Sequence, residues 1–204
     1  MFKKIASDAL GLSDIGRIIS REDFDKAQSD DFVLTEDGEK IHFLIKSKTD
    51  EYCFTNRALI HLDGEKASSS KRNIYRYDYY KNPIKNVSIE TAGTIDLDLE
   101  IKFSMGSQYF SVDIAKDEGE AIADLYKTLV EIGQIQEEDE RHHEFALNSV
   151  NTASGLIKDN RFHDNDISQE FQQAAEFAYK WFTEKYNEHT QKDFQDVFTK
   201  YIHN

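Results

Sequence analysis

The chain has 204 residues, 39% of them hydrophobic, with 14 phenylalanines, 10 tyrosines and a net charge of −14. That length suits one large domain or two small ones. The acid is shared evenly, about −7 on residues 1–135 and about −7 on residues 136–204, which argues against non-specific binding to nucleic acid or anionic membranes. A single cysteine, Cys53, excludes an internal disulfide and a CxxC metal site.

The N-terminal Met1-Phe2-Lys3-Lys4 is interrupted at once by Ser7 and Asp8, and no apolar run reaches the length of a signal peptide or membrane span. A cytoplasmic protein without stable membrane anchoring is expected. Ile5, Leu12, Ile15, Ile18 and Ile19 recur at helical spacing and predict a short helix near residues 13–20. Residues 23–31 read as an acidic linker.

Strands follow from residue 41. Ile41, Phe43 and Ile45 alternate with His42, Leu44 and Lys46, and Tyr52 and Phe54 alternate with Glu51 and Cys53. A turn at Lys48-Thr49 sets Lys46 opposite Glu51, Ile45 opposite Tyr52 and Phe43 opposite Phe54, with an apolar face and a charged one. Residues 58–62, 74–79, 87–91, 94–103 and 109–114 supply five more strands, punctuated by Asp63-Gly64, Asn82-Pro83, Ala92-Gly93 and Met105-Gly106-Ser107. Seven short antiparallel strands predict a small barrel or sandwich.

Asp117 and Glu120 form a capping box for a helix whose stripe is Ile122, Leu125, Leu129 and Ile132. Such a stripe needs an apolar partner, and the open end of the barrel offers one. From residue 136 the period stays at 3.6. The acidic run 137–140 suits a new helix start, followed by Phe145, Ala146, Val150, Ala153, Leu156 and Ile157. A second tail helix carries Phe171, Ala174, Ala175, Ala178, Trp181, Phe182 and Tyr186, with Asp166 as its cap. A third, starting near Thr190, carries Phe194, Val197, Phe198 and Tyr201. The expected division is a strand-rich domain over 1–135 and a two- or three-helix extension over 136–204. The fold class is α+β.

Two stretches carry a family resemblance. Cys53-Phe54-Thr55-Asn56-Arg57-Ala58-Leu59-Ile60 resembles the "FTN-R-LI" stretch of the bacterial pleckstrin-homology (PH) family, with Ala58 where that family often has a basic residue. The run from Ser88 through Glu100 resembles its "VETAGTFDLDAELK" signature. The likeness covers residues 10–135, and the tail is similar to the YvbH-like helical extension found in some members. The resemblance implies a PH-like seven-stranded barrel or sandwich capped by a helix, ring-like homo-oligomers, no enzymatic activity and no cofactor.

The candidate sites are sparse. Lys46, Lys48, Arg57, Lys71 and Arg72 are the nearest equivalents of the basic cluster with which some PH domains hold phosphoinositides. Asp50 and Glu51 share that hairpin, so a solvated mixed-charge surface is the competing expectation. Asp96, Asp98 and Glu100 line one strand face about 6.5–7 Å apart, too far apart to converge on calcium. They read as a solvated or subunit-facing surface.

Glu138, His142, His143 and His163 could gather around zinc, but lack a second spaced pair. Cys53 and His42 share a sheet face without a third orienting group, so no catalytic residue is assigned. The tail aromatics Phe171, Trp181, Phe182 and Tyr186 either pack the helical hairpin or meet another copy or a partner protein. The leading reading is therefore a non-enzymatic interaction and oligomerisation module. The alternatives are a lipid- or anion-binding module at the membrane surface and a metal-dependent enzyme.

Overall fold

The computed structural model describes residues 15–64, 72–91, 98–159 and 167–203. Two antiparallel sheets form the strand-rich part. One has the order β1 (Arg17–Ile18), β2 (Ile41–Lys46), β3 (Glu51–Thr55), β4 (Ala58–Asp63), β5 (Asn73–Asp78). The other runs β6 (Ile84–Thr91), β7 (Asp98–Met105), β8 (Gln108–Ala115). Three helices follow, α1 (Gly119–Asp159), α2 (Ile167–Glu188) and α3 (Gln195–Tyr201).

The first hairpin has the expected register, with Phe43 opposite Phe54, Ile45 opposite Tyr52 and Lys46 opposite Glu51. Rings from both sheets meet between them. Phe54 lies 6.3 Å from Phe43 and 6.1 Å from Phe103, which stacks on Phe110 at 5.0 Å. The α1 stripe Ile122, Leu125, Leu129 and Ile132 is fully buried, as an amphipathic cap on this core requires.

The N-terminal segment differs from expectation. Residues 15–20 form no helix: Arg17 and Ile18 pair with Lys46 and Ile45 as β1, and Gly16 bridges to Ile114 of the other sheet. The Gly16 amide donates to the Asp113 carbonyl at 2.8 Å, and a Cβ at Gly16 would sit 2.7 Å from the Ile45 side chain. Only glycine permits that approach. The bridge links the two sheets on this side, although they do not close into one continuous barrel.

The acidic stretch is not a linker. Residues 21–37 fold into three short 3-10 segments, Arg21–Lys26, Ser29–Phe32 and Thr35–Asp37. These bring Ala27 and Val33 onto Leu44, Cys53, Ile60 and Leu62, with Ile19, Phe24 and Ile41 around them. The five-stranded sheet is thus covered on its outer face as well. The Lys46–Glu51 ion pair consequently lies buried rather than solvated, and Glu51 also accepts the Ser29 amide at 2.9 Å.

Strand β7 is described from Asp98 onward and continues past the expected end at Phe103 to Met105; residues 94–97 lie outside the described ones. Asp117 sits in a 3-10 turn, Lys116–Glu118, where its carboxylate accepts the Arg17 guanidinium at 2.7 Å. The expected helix start near residue 137 does not occur. α1 runs unbroken from Gly119 to Asp159, because the acidic run 137–140 tolerates a helix interior and no proline interrupts it. The Asp166 cap lies outside the described residues.

The chain divides into two compact units. The first takes Met1–Gln134 together with Lys192–Asn204, and the second is Ile135–Gln191. The sequence division at 135/136 kept the whole tail together; in the structure its last residues group with the strands.

Candidate functional site

The end of the chain seats on the strand-rich unit. Val197 and Phe198 on α3 and Phe194 and Ile202 on either side of it are spaced i, i+3, i+4, i+8, and all four are buried. Phe198 stacks on the His42 ring at 5.0 Å, and Phe194 meets Tyr79 edge-on at 5.6 Å. Polar contacts fix both ends. The Phe194 amide donates to the Asn56 carbonyl at 2.8 Å, and the Asn56 side-chain amide donates to Asp193 at 2.7 Å. Tyr201 and Lys200 each donate to Glu131 at 2.6 Å.

His42 lines this groove. Its Nε2 is buried without a hydrogen-bond partner, and burial, with Arg21 adding repulsion, pushes the imidazole down to about 4. The Cys53 thiol is pushed up by burial in the apolar cluster beneath the 3-10 turns. A nucleophilic dyad needs an accessible thiolate, and Cys53 is fully buried.

The second unit is a helical hairpin made from the later part of α1 and α2. His142 and His189 lie 4.2 Å apart, His143 stacks on Tyr186 at 5.0 Å, and the Gln191 amide donates to Asp139 at 2.8 Å. Trp181 meets Phe182 edge-on at 5.6 Å, and both are half-buried. Phe171 belongs to α2, but its side chain is not among those described. Several large apolar side chains of the hairpin are exposed nonetheless. Phe145 is 63% exposed, Phe177 69% and Tyr179 76%, and Leu147 and Tyr186 are also exposed. Sequence reasoning assigned Phe145 to the hairpin's inner stripe and did not single out Phe177 or Tyr179. A helical wheel would have shown that these three flank the inner face rather than lie on it.

The cations of the first hairpin are scattered. Lys46 is buried against Glu51, Arg57 lies 3.7 Å from Asp193, and Arg72 donates to the Thr49 carbonyl. Lys48 is half-buried in the turn, and Lys71 lies outside the described residues. On the other sheet, Glu100 stands between Glu90 and Asp113, and Lys102 bridges it at 2.8 Å while also reaching Glu90 at 2.6 Å. The Lys102 contact, joined by Ser111, holds the Glu100 carboxyl below its ordinary value. Asp98 pairs opposite Ala115, and Asp96 lies outside the described residues.

Among the described residues, no group of three or more His, Cys, Asp or Glu is placed to hold a metal ion. Glu138 instead lies 3.7 Å from Arg141, and His163 lies outside the described residues. Among them too, no helix is long and apolar enough to cross a membrane.

Two antiparallel sheets closed by a helix define a PH-like class, and comparison with known proteins agrees. Residues 9–133 match the Bacterial PH domain family and residues 144–204 the YvbH-like oligomerisation region. The chain belongs to the bacterial PH domain family. It is 49% identical over 204 residues to the uncharacterized protein YvbH of Bacillus subtilis (strain 168), covering 100% of both chains. The uncharacterized protein YozO of the same organism is 32% identical over 84 residues, 41% of this chain and 71% of that one. The crystal structure of a PH domain containing bacterial protein from Exiguobacterium sibiricum 255-15 superposes with a TM-score of 0.83 at 48% identity, covering 93% of this chain and 100% of that one.

Proposed function

We propose that the chain is a non-enzymatic self-assembly module, in which the helical hairpin makes the contacts between copies and the PH-like unit forms the body of each subunit. The observation that carries this reading is the set of exposed apolar side chains on the hairpin, Phe145, Leu147, Phe177, Tyr179 and Tyr186. Apolar side chains grouped on a small helical unit mark an interaction surface. The match of residues 144–204 to an oligomerisation region supports the same reading.

The spacing gives the surface a geometry. Tyr179 and Tyr186 are seven apart and share one flank of α2, whereas Phe177 lies about 200° around the helix from Tyr179. Both flanks are therefore apolar. A subunit that meets neighbours on two sides is what a closed ring requires. No specific observation favours anion or lipid capture, since Lys46 and Arg57 already face carboxylates.

Charge on one flank tests this. The double substitution Tyr179→Glu and Tyr186→Glu is expected to lower the mass measured by light scattering, with the helix content in circular dichroism unchanged. An unchanged mass would remove that flank from the assembly.

A further inference from the structure

We propose that the groove holding the C-terminal segment is a helix-docking site used between copies: within the assembly, residues 193–202 of one chain seat on the PH-like unit of a neighbour. This rests on the self-assembly reading above and extends it to a second kind of contact.

The segment behaves as a complete ligand. It brings four buried apolar side chains, Val197 and Phe198 from a helix of only seven residues and Phe194 and Ile202 from the positions that flank it. Isolated helices that short are not stable in water, so the segment's order comes from the groove. The groove recognises both ends of it. At the start, Asn56 takes the Phe194 amide and holds Asp193; at the end, Arg21 reaches the Ile202 carbonyl at 3.4 Å and Glu131 takes Lys200 and Tyr201. Every one of these contacts can be made equally well by an identical segment from another chain.

The route to exchange is short. Residues 190–194 are non-helical, and the chain passes there from the second unit to the first. A C-terminal segment can leave its groove without threading, and swapping it creates no new interface and loses none. In an isolated chain the tether favours self-docking. Once hairpin contacts hold copies together, a neighbour's segment competes at a comparable effective concentration. The match to the oligomerisation region runs on through residue 204, whereas those last residues pack on the PH-like unit. Exchange between copies accounts for both.

Cross-linking of the full chain decides it. Unlabelled and 15N-labelled chains are mixed in equal amounts, unfolded and refolded together, and treated with a carbodiimide, which joins Lys200 to Glu131 as an amide. Random docking in trans gives mixed-isotope Lys200–Glu131 peptides in about half of the cross-links. Same-isotope peptides alone would overturn the exchange.

A second arm avoids refolding. Chains bearing Asn56→Cys and chains bearing Asp193→Cys, with tags of different size, are co-expressed and oxidised. A disulfide between the two kinds is expected, and its absence, with the N56C/D193C double variant closing only within one chain, would overturn the proposal. Light scattering of the same samples separates the two ideas. Assemblies whose cross-links all stay within chains refute exchange alone, whereas a single-chain mass refutes self-assembly and exchange with it.

Discussion

The His42 imidazole has to stay neutral to remain stacked on Phe198, because its Nε2 has no hydrogen-bond partner and burial lowers it to about 4. The unfolded chain, with an ordinary histidine near 6.5, takes up a proton that the folded chain refuses. Stability is therefore intact above about pH 6.5 and declines as the pH falls toward 4. The carboxylates held low by their partners, Glu51 and Asp50 among them, add their own loss only below their ordinary range. Urea midpoints are expected to fall between pH 7 and pH 5, and His42→Leu should flatten that decline. A slope unchanged by the substitution would place the acid sensitivity elsewhere. Cys53 gives a second prediction. Buried and with its thiol pushed up, it should resist a thiol-specific reagent in the native protein and react once urea unfolds it. Prompt native labelling would contradict its burial. The pairing of Lys46 with Glu51 was legible from alternation and charge. Their burial was not, because the covering turns carry a composition that reads as linker.

At the scale of elements, the hairpin register was legible because one slip would expose Phe43 and Phe54. The double coverage of the same sheet had a signal that alternation alone hides: Leu44, Cys53, Ile60 and Leu62 make the second face apolar too. Helix α1 was legible in its first stripe but not in its length. A change in which face is apolar looks like a new helix, while the backbone needs a proline, a capped stop or a turn to end one. Gly133, inside α1, stops nothing, and it lets the helix approach β6, where a Cβ would lie 2.7 Å from the Ile84 carbonyl oxygen. For α3, the test is packing. Phe198→Ala removes a fully buried ring and should cost about 3–5 kcal/mol of stability in urea unfolding. A loss below about 1 kcal/mol, of the order seen at surface sites, would mean that the segment is not seated as described.

For the whole molecule, fold class and a strand-rich part followed by helices could be read from the change of period. The return of residues 192–204 to the strand-rich unit could not, since nothing local distinguishes a stripe that packs on a distant strand from one that packs on its neighbour helix. The same ambiguity applied to the hairpin aromatics: Trp181 and Phe182 turn out half-buried, and the most exposed rings among the described side chains are Phe177 and Tyr179. A net charge of −14 spread over both parts opposes non-specific collapse of such a surface, so the proposed self-assembly rests on the apolar flanks of the hairpin. Sedimentation equilibrium of the full chain across the micromolar range tests this most directly. The account predicts a mass that is a fixed multiple of one chain and stays constant on dilution through that range; the mass of one chain at every concentration would contradict it.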